Sequence, residues 1–207
     1  MSAETNAVLA ENALDRFVAR TRALFARESD PEKRWTSLDP ILIELLADPS
    51  VVEASRKWPP CRFVDNRFEN FLFYEDPDYG FVVNGLVMAE DYDYGTAARI
   101  HDHAHLYTLY GLLDGRQQIQ RYERLDDGSK PDFAEIRKTS DSACGPGMVD
   151  LVRPFEVHSE DTAGGGRVAA LIIRSAKAGS FLQGRYLPEK NGYWQGYGPR
   201  QMPTPFF

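Results

Sequence analysis

Over the first 60 residues apolar positions recur at helical spacing; beyond them they recur at strand spacing. Leu9, Leu14, Phe17, Val18, Leu24 and Phe25 share one stripe with Thr21, which predicts an amphipathic helix. "SLDPILIELLADPS" follows as a second helix, with Asp39 as the candidate N-cap and Pro40 in its first turn. "PSVVEASRKW" predicts a short third helix, and "PPC" at 59–61 ends the helical part. From there "FENFLFY", "GFVVNGLVMA", "ARIHDHA", "LYTLYGLLD", "QQIQRYERL", "FAEIRKT", "MVDLV" and "VAALIIRS" are each of strand length. Turn-forming segments such as "EDPDYG", "DDGSKPD", "ACGPG" and "TAGGGR" separate them. Many short strands at this spacing predict an all-β antiparallel sandwich or barrel. The expected organisation is a helical extension over 1–60 and a β-barrel over 61–207, together one compact domain. The tail "EKNGYWQGYGPRQMPTPFF", aromatic and rich in Gly and Pro, is expected to pack irregularly over the barrel.

Composition changes this picture in only a few ways. At 207 residues the chain can bury a sizeable core without staples. A net charge of −7, from 24 basic and 31 acidic residues, argues against nucleic acid or an anionic membrane as partner. An anionic metabolite remains open if arginines gather locally. Cys61 and Cys144 stand in neither metal-ligand nor redox spacing and read as free thiols. The start of the chain lacks the pattern of a signal peptide, and no apolar run approaches the ~20 residues of a membrane span. The expectation is a cytoplasmic protein, a monomer or homodimer, acting on a small molecule.

The candidate chemistry lies in the histidines, of which the chain has 4. On a strand, His101 and His103 point to one side with Asp102 opposite, so two imidazoles can be offered to one ion. Two solvent-facing histidines are the other reading of that spacing. His158 follows far downstream, four residues after Pro154 and just beyond the turn-like "GPGM" and the strand "VDLV".

Order and separation of these residues resemble the two motifs of the cupin superfamily. Gly95, His101, His103, Thr108 and Gly115 align with the first motif. Pro154 and His158 align with the second, with Glu156 where the family often has glycine. The resemblance covers residues 65–175. It implies a double-stranded β-helix (jelly-roll) barrel and a metal held by His101, His103 and His158. The glutamate ligand of the family is missing, and Thr108 holds its place. A neutral three-histidine site leaves positions open and keeps the full charge of the ion. Fe(II) suits that arrangement, and zinc, nickel or manganese suit it as well. His105 reads as a pocket-rim residue or one backing a ligand rather than as a fourth ligand. Asp102 reads as facing away, bonded to a neighbouring strand or turn.

Within the superfamily, "RIHDHAHLYTLYGLLDG" is similar to the thiol dioxygenases, the cysteine dioxygenase and mercaptopropionate dioxygenase group. That resemblance implies Fe(II) and O2 converting a thiol to a sulfinate. Tyr110 falls on the presumed inward face, as a substrate contact or a core aromatic. The group's Tyr-x-Arg-Asn segment aligns with "RFEN", which places Arg67 and Glu69 on one strand face. Arg67 can grip a carboxylate, and Glu69 can accept an ammonium group or pair with Arg67; surface charges are the plain alternative for both. The group's Ser-His-Tyr relay is replaced by Ala170, Ile172 and Arg174, which argues against cysteine as substrate and adds a cation. Neither cysteine lies where the group's cysteine–tyrosine crosslink would need it, so none is expected.

The leading expectation is therefore a non-haem Fe(II)-dependent dioxygenase of the thiol dioxygenase type, oxidising a small acidic thiol. Arg67, Glu69, Arg174 and Tyr110 are its candidate substrate residues, with His105 and Thr108 beside the pocket. Alternatives are a metal-dependent cupin lyase, hydrolase or isomerase, with the metal as Lewis acid and Tyr110, Glu69 or His105 as base, and a non-catalytic small-molecule-binding cupin.

Overall fold

A computed structural model of the chain describes residues 12–65, 67–89, 100–162, 166–179 and 181–207. Leu9 and Gly95 lie outside the described residues. Four helices come first. α1 (Ala13–Arg27) is capped by the Asn12 side chain, and its apolar stripe is buried through Leu14, Phe17, Thr21, Leu24 and Phe25. α2 (Pro31–Thr36), capped by Asp30, is an addition to the expected three, too short for periodicity to reveal. α3 (Asp39–Ala47) differs from expectation at its start. Leu38 occupies the cap position in αR conformation, with no side-chain cap, and Asp39 is already helical. The chain arrives directly from α2, whereas a capping side chain needs an extended residue at that point. α4 (Pro49–Lys57) is capped by Asp48.

The strands are β1 (Phe63–Val64), β2 (Arg67–Glu75), β3 (Val82–Met88), β4 (Thr108–Asp114), β5 (Gln117–Arg124) and β6 (Ile136–Cys144). They continue with β7 (Val149–Val152), β8 (Val157–Thr162), β9 (Val168–Arg174), β10 (Leu182–Leu187), β11 (Gly192–Tyr197) and β12 (Arg200–Pro203). One sheet has the order β1-β2-β3-β9-β4-β7, with β12 added in parallel along β2. The other is β6-β5-β8, joined to the β10–β11 hairpin through residues 100–102. His101 exchanges two backbone hydrogen bonds of 2.9 Å with His158, while Asp102 N donates to Gly184 O and Tyr186 N to Ile100 O. Thus β3-β9-β4-β7 faces the His101 segment, β8, β5 and β6, which is the strand order of a jelly roll. The expected all-β barrel with a helical N-terminus is the observed fold.

Alternation along the strands sorts residues between two cores. Leu109 and Leu113 of β4, Leu171 and Ile173 of β9, and Val83 and Val87 of β3 pack outward against the helices. Gly111 lies directly beneath α3, where an added Cβ would stand 2.9 Å from Leu46 and 3.0 Å from Leu42. Tyr110, Leu112, Ala170 and Ile172 face inward and meet Ile119 and Cys144 of the opposite sheet. This inner space carries the histidines at its other end.

The tail departs from expectation. Instead of packing irregularly it supplies β11 and β12. Phe206 then sits on Phe73 and Trp58, whose indole N–H donates to the Phe206 carbonyl at 3.2 Å. Open edges on β2 and β10 supply the backbone partners, which local Gly and Pro content cannot reveal. The segment expected as the strand "ARIHDHA" is, among its described residues, only the pair of bridges at His101, since Ala104 turns at φ 50°.

Candidate metal centre

Residues directly opposite each other across paired strands share a face. His101 is opposite His158 on one side and Arg185 on the other, and His158 is opposite Arg121. Arg185, His101, His158 and Arg121 therefore form one row across the inner face of the second sheet. Asp102 points the other way and accepts from Ala104 N at 2.8 Å, Gly184 N at 3.0 Å and the Tyr186 hydroxyl at 2.8 Å. Its carboxylate occupies the space a Cβ would need at Gly184. This latch fixes the turn after His103, so His101 and His103 can converge.

His103 Nε2 lies 3.0 Å from His101 Nε2 and 3.3 Å from His158 Nε2, and the three ligand atoms lie within 4.8 Å of one another. Nitrogens held about 2.1 Å from a common ion at bond angles between roughly 90° and 109° stand about 3.0–3.4 Å apart. Burial, followed by the neighbouring histidines and arginines, pushes His103 and His158 well below the usual imidazole range. Both rings are then neutral with free lone pairs. The donor set and its spacing fit a metal, and the three-histidine group can bind one.

The facing sheet completes the surroundings. Thr108 and Arg174 are directly opposite each other on β4 and β9. Thr108 is buried with Oγ1 unpartnered. Arg174 is 4% exposed; its Nη1 donates to Asn84 Oδ1 at 2.8 Å, and its Nε has no partner. Burial lowers its pKa to about 10. Tyr110 is buried and donates to Gln117 Oε1 at 2.5 Å, and burial holds its hydroxyl protonated.

Two residues on this surface were not anticipated. Glu160 lies two positions beyond His158 on the same strand face, its Oε1 3.5 Å from His158 Nδ1. Burial and the neighbouring Asp150 raise its pKa to about 7. The His-x-Glu spacing in β8 was the available signal. Arg185 had none, because only the hairpin pairing brings β10 beside His101. Of ten buried side-chain atoms without a hydrogen-bond partner among the described residues, seven belong to this inner surface: His103, Thr108, Gln117, Arg121, Asp150, His158 and Arg174. Unsatisfied groups are rare in ordinary cores, so their concentration marks a surface suited to a polar occupant.

The other sequence candidates have partners of their own. His105 is exposed, with its ring against Phe181 at 4.6 Å between centroids. Arg67 donates to the carbonyls of Gly198 and Gly179 and lies over the Tyr197 ring. Glu69 pairs with Arg62 at 2.6 Å and Arg200 at 3.7 Å rather than with Arg67. Both charges thus hold the C-terminal segment in place. Cys61 and Cys144 are free and buried. No helix among the described residues is long and apolar enough to cross a membrane.

No protein-family model matches the chain, and no curated protein matches it. Among solved structures it is similar to the cupin domain of Schizosaccharomyces pombe Cnp3, at 10% identity and a TM-score of 0.37, over 52% of this chain and 64% of that one. A recombinant oxalate oxidase in complex with glycolate aligns at 14% identity and a TM-score of 0.35, over 47% of this chain and 42% of that one. A Klebsiella pneumoniae protein with a double-stranded β-helix domain aligns at 12% identity and a TM-score of 0.39, over 70% of this chain and 88% of that one. The first two matches therefore span less than two thirds of those chains.

Proposed function

We propose that this jelly roll is a metal-dependent enzyme of the cupin type, and more specifically a non-haem Fe(II) dioxygenase oxidising a small acidic thiol to a sulfinate. The observation that carries the reading is the convergence of three imidazole ligand nitrogens within 4.8 Å of one another, on the inner face that the buried Arg174 also lines. His101, His103 and His158 would hold the ion. Bound there, iron would supply open positions for a thiolate and O2 and the redox chemistry that joins them. Arg174 binds and orients the anionic end of the substrate through charge-assisted hydrogen bonds. Thr108 offers a neutral hydroxyl where a carboxylate would oppose an anionic substrate. Tyr110 keeps its proton and closes the apolar end of the space. Val157 and Tyr186, with Ile100 against them, cover the outer side of the strand row that carries the histidines.

The test is O2 uptake by the iron-loaded protein over a panel of thiols, with the product identified by mass spectrometry. Uptake matched to sulfinate with an acidic thiol is the expected result; no uptake with any thiol, despite bound iron, overturns it. A second reading, a lyase, hydrolase or isomerase with a Lewis-acid metal, is favoured by Glu160, a half-buried carboxyl beside His158 whose pKa of about 7 suits proton transfer at neutral pH. Turnover under strict anaerobiosis would select that reading.

A further inference from the structure

We propose that Arg174 and Arg185 form a two-cation clamp across the three-histidine centre and select a small ligand bearing two carboxylates. The inference rests on reading this inner surface as the substrate site. Arg185 stands directly opposite His101 and so on the same face as the histidines, while Arg174 reaches the same space from β9 of the facing sheet.

The hydrogen-bond acceptors of these arginines are neutral amides, and the carboxylates of Asp102 and Glu160 act on them only from beyond ion-pair distance. Arg174 donates to the Asn84 amide oxygen, and Arg185 makes one long hydrogen bond of 3.4 Å to the Gln183 amide oxygen. Arg121, in the same row, is different: Asp150 at 2.7 Å and Glu156 at 2.9 Å neutralise it. Glu160 is turned toward His158 Nδ1. Arg174 is buried and Arg185 half-buried, and neither makes an ion pair with a carboxylate among the described residues, so a bound anion offsets the cost of desolvating them. A ligand with a single carboxylate satisfies one of them; a second carboxylate satisfies the other. Arg185 is also held ready, because Asp102 fixes Gly184 before it and Tyr186 after it. That preorganisation lowers the ordering cost of binding.

The experiment is calorimetric titration of the metal-loaded protein with succinate and with its monoamide, succinamate, which has the same size and one charge fewer. Wild type is expected to bind succinate at least about tenfold more tightly than succinamate, the scale of a charge-assisted contact. Arg185→Gln is expected to abolish that preference, and Arg185→Lys to keep part of it. Equal binding of the two probes by wild type, no binding of succinate, or an unchanged preference in a folded Arg185→Gln protein would each overturn the clamp. The wild-type comparison needs no variant to fold. Metal content of wild type and His158→Ala is measured in parallel. Full metal without diacid preference sinks the clamp alone, whereas diacid preference without any bound metal sinks the metal reading and leaves the clamp.

Discussion

Replacing Asp102 by alanine is expected to cost about 3–6 kcal/mol of stability and to lower metal content. The magnitude follows from the donors left behind. Asp102 is 4% exposed and accepts from two backbone N–H groups and the Tyr186 hydroxyl. Each buried donor left unpaired costs roughly 1–3 kcal/mol, with some relief if water enters the space. That sum is a large share of the ~5–15 kcal/mol by which a domain is stable. Two milder variants calibrate it. In Asp102→Asn the amide oxygen can keep Ala104 N and Gly184 N, while the amide nitrogen meets Tyr186, whose hydroxyl turns to accept. The expected loss is about 0.5–1.5 kcal/mol. Tyr186→Phe removes one donor from the carboxylate, for about 1–3 kcal/mol. Urea unfolding with m-values gives the three numbers, and metal analysis of the folded protein gives the functional consequence. An Asp102→Ala protein within about 1 kcal/mol of wild type, with full metal content, would refute the latch.

Other expectations follow from packing and titration. Gly111→Ala places a methyl against Leu42 and Leu46 and is expected to lose about 1–3 kcal/mol; an unchanged urea midpoint would show that α3 yields freely. Leu42→Ala, at 0% exposure between α3 and the sheet, is expected to lose about 2–5 kcal/mol by the same measurement. For the metal-free protein, His103 and His158 have folded pKa values below their unfolded value of about 6.5. The unfolded chain then binds more protons as pH falls below that value, so stability drops on acidification. Glu160 acts in the opposite sense. Its folded pKa of about 7 exceeds its unfolded value, so its protonated native form adds stability as pH falls through that window. Glu160→Gln removes this opposing term and is expected to steepen the acid loss of stability; an identical pH–stability slope would contradict the assignment.

Much of the fold and part of the site were legible in the chain. Periodicity marks α1, α3 and α4, and the same alternation that makes Leu109, Gly111 and Leu113 outward-facing puts Thr108, Tyr110 and Leu112 inside. His101 and His103 two residues apart, with Asp102 between them, already divide ligand candidates from a backing residue. Residue type and parity carry that information because they act within one strand.

What the sequence could not fix are relations between strands far apart in the chain. The roles of Arg67 and Glu69 followed from a local alignment, yet their partners are Gly179, Gly198, Arg62 and Arg200, chosen by the docking of the tail. Glu160 shares a face with His158 by local spacing, but it is desolvation between the two sheets and the approach of Asp150 that raise its pKa. Arg185 sits beside His101 because β10 finds an open edge there, a pairing made by backbone groups that carry no residue signature. The sequence by itself determined the two periods and an antiparallel all-β class, and the resemblance of its histidine motifs supplied the jelly roll and three ligand candidates. Tertiary structure decided which charges surround them, because desolvation and cross-strand register exist only once the sheets have closed.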